Sequence, residues 1–160
     1  MKNRLLLLDA YALIYRAYYA FINRPMRNSK GLNTSAIYGF IRATLDAIKK
    51  FEPTHVAVAF DVSGYTFRNE LYPDYKAQRE ETPEDIKLSV PLIKETLRAM
   101  NIPTVELQGY EADDVIGSIA MQADPNNFEV IMMTPDKDYG QLLQKNVIMA
   151  KPGRSGNEMI

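Results

Sequence analysis

Two short runs constrain this chain more than anything else in it. Arg4-Leu5-Leu6-Leu7-Leu8-Asp9 and His55-Val56-Ala57-Val58-Ala59-Phe60-Asp61 are continuously apolar, and each ends on an aspartate. A strand without polar alternation has to be covered on both faces, the pattern of a parallel strand inside a sheet flanked by helices. In such a sheet function gathers at the carboxyl ends of the strands. Asp9 and Asp61 are therefore both expected at one edge of the same sheet.

The rest of the chain alternates in the same way. Ile14, Ala17, Tyr18 and Phe21 repeat at helical spacing, and residues 23–33 (NRPMRNSKGLN) read as a loop. Thr34 or Ser35 is placed to cap a helix with the stripe Ile37, Phe40, Ile41, Leu45 and Ile48. Ile86, Val90, Ile93, Leu97 and Met100 are again helical, but Pro91 interrupts them, so the expectation is a short helix and then a second one near Pro91. Strands are expected at Ile102–Leu107, Phe128–Met133 and Val147–Ala150, and helices at Asp113–Ala123 and Tyr139–Leu143. Between the second strand and the next helix, residues 63–84 are polar, basic and aromatic with two prolines, an excursion from the core. The expected fold is α/β: one domain over 1–160, a mostly parallel central sheet with helices on both faces, and an arch-like excursion at about 63–90.

Composition closes several routes. A chain of 160 residues with 46% apolar and 24% charged residues can bury a core of its own. The absence of cysteine excludes disulfides and thiolate metal sites and fits a reducing cytosol. A single histidine, His55, excludes a zinc site built on several imidazoles. No stretch approaches the ~20 apolar residues of a membrane span, and the N-terminus enters a strand-like run with no visible signal peptide.

Acids follow the other strands too. The third leads into "GYEADDV", with Glu111, Asp113 and Asp114, and the fourth into "TPDKD", with Asp136 and Asp138. Taken singly, each has a plain structural explanation as a helix cap, a turn residue or a first-turn acid beside a helix dipole. Capping does not explain three acids in four residues and two more in three, all on one edge. Like charges that close raise one another's pKa or require a cation. Oxygen ligands without thiolate select hard ions, Mg²⁺ or Mn²⁺, and a pair of them forms the usual clamp for phosphodiester hydrolysis. Setting the seven acids aside leaves 13 acids against 19 bases in a chain of net charge −1. Much of that positive surplus sits in Arg24, Arg27 and Lys30, and in Arg68, Lys76 and Arg79, the latter interleaved with Tyr65, Phe67, Tyr72 and Tyr75. Cations for phosphates and rings for bases suit a nucleic-acid strand, while a solvated loop with its rings folded onto the core explains the segment equally well.

Five segments in order carry a resemblance: "LLLLDAYALIYRAYYAF", "GLNTSAIYGF", "VAVAFDVSGYTFRNELYPDYKAQRE", "GYEADDVIGSIA" and "TPDKDYGQLL". They resemble the 5′ nuclease domain at the N-terminus of bacterial DNA polymerase I, related to flap endonucleases and more distantly to PIN-like ribonucleases. The resemblance implies a metal-dependent 5′–3′ exonuclease and flap endonuclease of the bacterial cytoplasm, acting at the nucleoid. Its substrates would be DNA with a 5′ flap or nick and RNA-primer/DNA hybrids, cut beside the polymerase domain of the same full-length chain. It implies two Mg²⁺ (or Mn²⁺) ions held or oriented by Asp9, Asp61, Glu111, Asp113, Asp114, Asp136 and Asp138. It also implies Lys76 and Arg79 acting on the scissile phosphate, Tyr75 stacking on the terminal base, and Arg16, Tyr18 and Arg68 facing the substrate. Family members continue into a helix–three-turn–helix region that grips the duplex and adds two metal-binding aspartates; the sequence here ends at Ile160, which implies a fragment of reduced activity. Two other readings stand beside this one, a non-catalytic flap-DNA-binding module and a PIN-like ribonuclease with fewer acids.

Overall fold

The computed structural model describes residues 3–60, 83–106, 119, 127–134, 147–153 and 156–159. The chain runs β1 (Asn3–Asp9), α1 (Ala10–Ala20), α2 (Ser35–Phe51), β2 (His55–Ala59), α3 (Glu84–Ala99), β3 (Thr104–Val105), β4 (Phe128–Met133), β5 (Val147–Gly153) and β6 (Gly156–Met159). They form one sheet in the order β3-β2-β1-β4-β5-β6. The first five strands are parallel, and β6 returns antiparallel to β5.

The apolar runs do what continuous hydrophobicity requires. Leu6 and Leu8 point into a core built with α1, α2 and α3, while Leu7 points the other way, into a second cluster with Ala59, Val130 and Met132. Helical Ile119 packs on that second cluster, so both faces of the sheet are covered. Leu6, Leu7 and Leu8 are at most 1% exposed, and each full burial contributes about 2 kcal/mol.

Several expectations change in detail. Pro91 does not divide its segment: one helix, α3, runs from Glu84 to Ala99 with Pro91 inside it. Ile86, Ser89, Ile93 and Leu97 make one continuous buried face, Pro91 lies on the exposed side, and the Ser89 hydroxyl donates to the Asp85 carbonyl at 2.7 Å. Packing outweighs the single backbone donor that proline removes. The excursion expected at about 63–90 is therefore shorter: residues 84–90 are the first turns of α3, and 63–82 lie outside the described residues. On α2 the buried stripe is Ala36, Phe40, Thr44, Ala47 and Phe51, and Leu45 is 47% exposed. Thr44 tolerates burial because its hydroxyl donates to the Phe40 carbonyl at 2.8 Å. Thr34 occupies the N-cap position of α2 but makes no side-chain cap bond; its hydroxyl turns to the Met26 carbonyl instead. Strand β6 was not anticipated, since its residues carry no apolar run, and it is held by pairing with β5. Of the helices expected at 113–123 and 139–143, only Ile119 falls within the described residues, and it is helical.

Helices α1 and α2 meet through a glycine. A Cβ on Gly39 would stand 2.4 Å from Ala17 Cβ and 3.3 Å from Ala17 Cα. Overpacking of this kind costs about 1–3 kcal/mol, more than the ~1 kcal/mol of helix propensity that alanine restores. Gly39→Ala is therefore expected to lower the urea midpoint, and adding Ala17→Gly is expected to recover part of the loss as a non-additive pair. A more stable Gly39→Ala would contradict this close crossing.

Candidate functional site

Strand register sets the level of the site. Asp9 lies opposite Ala59, Ala59 opposite Val105, and Leu8 opposite Met133, so Thr134 follows at the level of Asp9. Four strands therefore release their chains at one height on one edge. Asp61 comes two residues after Ala59, Glu111 six after Val105, and Asp136 two after Thr134. On the far flank β5 continues three residues beyond Ala150, the partner of Met133, before β6 turns back.

Asp9 is the predicted ligand that the structure describes. It is only 7% exposed, at the junction of β1 and α1. Its extended backbone (φ −86°, ψ 103°) makes it the N-cap of α1, where its Oδ1 accepts from the Ala12 N–H at 3.4 Å. Its Oδ2 accepts from the hydroxyl of fully buried Thr134 at 3.5 Å. The capping explanation thus holds for Asp9, and the residue stands at the shared edge as well. Thr134 carries no functional signal in the sequence beyond being the first letter of "TPDKD"; the parallel pairing of β1 with β4 brings it to Asp9. Asp61, Glu111, Asp113, Asp114, Asp136 and Asp138 lie outside the described residues, as do Arg68, Tyr75, Lys76 and Arg79.

The donor chemistry at this edge is oxygen. His55 opens β2 opposite Leu5, at the other end of the strand from Ala59, where its Nδ1 lies 2.9 Å from the Thr54 hydroxyl. The chain has no cysteine. A hard divalent cation fits such a set, and a soft one does not. Among the described residues no three acids or imidazoles come together.

The two described DNA-facing candidates lie along α1. Arg16 is exposed, seven residues or ~10 Å of helical rise beyond Asp9. Tyr18 is half-buried against the core and meets Tyr19 edge-on at 5.1 Å. Arg24, Arg27 and Lys30 are exposed in the loop expected at 23–33, the last two on an ordered turn. Asn28 Oδ1 accepts from the N–H groups of Lys30 and Leu32, Gly31 supplies φ +83°, and Arg27 donates to the Gly31 carbonyl at 2.9 Å. Asn33 Nδ2 ties this turn to Asp85 in the first turn of α3 at 3.3 Å.

If Asp9 both caps α1 and supplies negative charge, its two roles separate by substitution. In EDTA, Asp9→Asn keeps the cap and is expected to melt close to the parent, whereas Asp9→Ala loses about 1 kcal/mol. Equal destabilisation by both would assign the charge itself to the fold.

Comparison with known proteins follows this geometry. The profile of the "5'-3' exonuclease, N-terminal resolvase-like domain" family matches residues 4–160. The chain is 43% identical over 148 residues to a 5′–3′ exonuclease of Aquifex aeolicus, covering 92% of this chain and 50% of that protein. It is 42% identical over 147 residues to DNA polymerase I of Bacillus caldotenax, covering 92% of this chain and 16% of that protein. Among solved structures, a bacteriophage T5 flap endonuclease in a pseudo-enzyme–product complex with DNA and metal ions superposes with a TM-score of 0.61 at 22% identity, over 93% of this chain and 55% of that chain. The architecture is accordingly the PIN-like 5′ nuclease fold. The chain spans half the length, or less, of the curated relatives it matches.

Proposed function

The chain belongs to the family of 5′–3′ exonuclease N-terminal, resolvase-like domains, and from that premise we propose that residues 1–160 form a single 5′ nuclease core domain that hydrolyses phosphodiester bonds with the help of two divalent cations. The substrates proposed are DNA with a 5′ flap or nick and RNA-primer/DNA hybrids, processed in replication and repair beside the polymerase domain of a longer chain in the bacterial cytoplasm. The observation that carries this reading is the common level of Asp9, Ala59, Val105 and Thr134, from which acid-bearing segments leave four neighbouring strands. Among the described residues no helix is long and apolar enough to cross a membrane.

Asp9, Asp61, Glu111, Asp113, Asp114, Asp136 and Asp138 would hold the cations, Mg²⁺ or Mn²⁺. When bound, such a pair supplies an activated water and charge stabilisation at the leaving oxygen. The N–H of Ala12 and the hydroxyl of Thr134, both directed at the Asp9 carboxylate, support its place in that set. Lys76 and Arg79 would neutralise the scissile phosphate, Tyr75 would stack on the terminal base, and Arg16, Tyr18 and Arg68 would guide the strand.

Cleavage of a labelled 5′ flap, with Mg²⁺ or Mn²⁺ against EDTA, tests the reading. Metal-dependent cutting supports it, binding without cutting at any metal concentration would favour the non-catalytic module, and preference for single-stranded RNA would favour the ribonuclease. Lys76→Ala and Arg79→Ala are each expected to lower the salt slope of flap binding by about one phosphate contact at most, with an unchanged circular dichroism spectrum. A variant that unfolds instead has a structural residue at that position.

A preformed cation site also has a stability signature. Mn²⁺ at a hundredfold excess over its Kd is expected to add about 2.7 kcal/mol to unfolding, seen as a raised melting midpoint that EDTA reverses. A midpoint indifferent to Mn²⁺ at every concentration would rule the preformed site out.

A further inference from the structure

We propose that Lys94 is a positioning residue for the metal-bearing edge, fixing from the helix side the points where β2 and β3 run out toward their acids. The inference rests on the metal-dependent reading above.

The Lys94 ammonium makes two contacts that reach two different strands. Nζ lies 3.1 Å from Glu106 Oε1 and 4.9 Å from the centre of the Phe60 ring. Glu106 is the residue after β3, and Phe60 is the residue after β2, immediately before Asp61. The Phe60 N–H donates to the Val105 carbonyl at 2.9 Å, so the two exits are also joined through the backbone. The Phe60 ring is fully buried, and on it Tyr11 packs edge-on, with centroids 6.0 Å apart and planes at 86°. Tyr11 is two residues from Asp9. One side chain of α3 thus grips the end of β2 and the end of β3, and through an aromatic pair it reaches the start of α1.

The face on which this happens decides the role. Phe60 belongs to the cluster of Leu6, Leu8 and the three helices. Asp9 and Thr134 continue the alternation of Leu7 and Met132, which point to the opposite face. Lys94 therefore acts from behind the strand ends and is not itself placed as a ligand or a phosphate contact. Glu106 balances its charge, so the pair adds no net cation that would discharge neighbouring acids. A plainer account makes Lys94–Glu106 an ordinary ion pair. Side chains 32% and 36% exposed gain little from such a pairing in water. The two accounts differ in what removal does to metal binding.

Mn²⁺ titration of the chain, followed by the electron paramagnetic resonance of the free ion, separates them, with thermal melts in EDTA alongside. Lys94→Met keeps the stem over Phe60 and removes the charge; Glu106→Gln removes the partner at a site open enough to keep the fold. Both are expected to weaken Mn²⁺ binding roughly tenfold, as loss of outer support for metal ligands does. Their melts in EDTA are expected to move by no more than ~4 °C. Lys94→Arg, which can keep both the pair and the ring contact, is expected to restore most of the affinity. Unchanged affinity in both variants would overturn the proposal, as would a lowered melt with intact metal binding. Opposite shifts in the two variants would overturn it too, because they would mean that charge alone acts at a distance. A parent chain that binds no Mn²⁺ would defeat the metal reading itself; a parent that binds while both variants bind equally well defeats only the role of Lys94.

Discussion

Strand β1 is hydrogen-bonded along both edges to strands that run its own way, and the chemistry of this fold hangs on that arrangement. Parallel neighbours cannot be joined by tight turns, so each connection has to cross a face of the sheet. The crossings lay α1, α2 and α3 over one face, and Ile119 packs on the other. They also oblige the five parallel strands to finish on the same side. Asp9, both the end of β1 and the N-cap of α1, sits where these obligations meet. An antiparallel sheet of the same residues would have scattered the acids over two edges.

Much of this could be read from the sequence because it follows from periodicity. The runs at Leu5–Leu8 and Val56–Phe60 have no polar face, so they admit no environment other than the middle of a covered sheet. Of the site, Asp9 was legible in the same way: an aspartate directly after the first run is visible without coordinates, and the register sets it at the strand ends. What stayed hidden depends on energies that a one-dimensional pattern does not contain. Pro91 looks like a break because the local cost of proline is certain, whereas the buried face from Ile86 to Leu97 that offsets it is a tertiary fact. Leu45 looks like core because leucine usually is; the position is taken by Thr44, whose hydroxyl finds a carbonyl one turn back. Thr134 reaches Asp9, and Lys94 reaches Glu106, across separations that only the strand register defines. Strand β6 has no hydrophobic signature because pairing with β5, rather than burial, defines it.

The turn that carries Arg27 and Lys30 is organised by one asparagine side chain and one left-handed glycine, and Asn33 moors it to α3. Its cations are exposed, yet their backbone is already fixed. A ligand meeting this surface would not have to order it first, which removes one of the main entropic penalties of association.

The pairing of β1 also governs when the domain can assemble. Asn3 is matched with Phe128 and Leu8 with Met133, while its other partner begins at His55. On a ribosome β1 is made before either of its neighbours and acquires the second only after some 120 further residues have followed, a separation given by the register itself. Contacts this distant in sequence slow folding, because the intervening chain has to be closed before they form. During that interval Leu5–Leu8 is an uncovered hydrophobic strand with one edge unpaired, the kind of segment that chaperones shield and that aggregates when they do not.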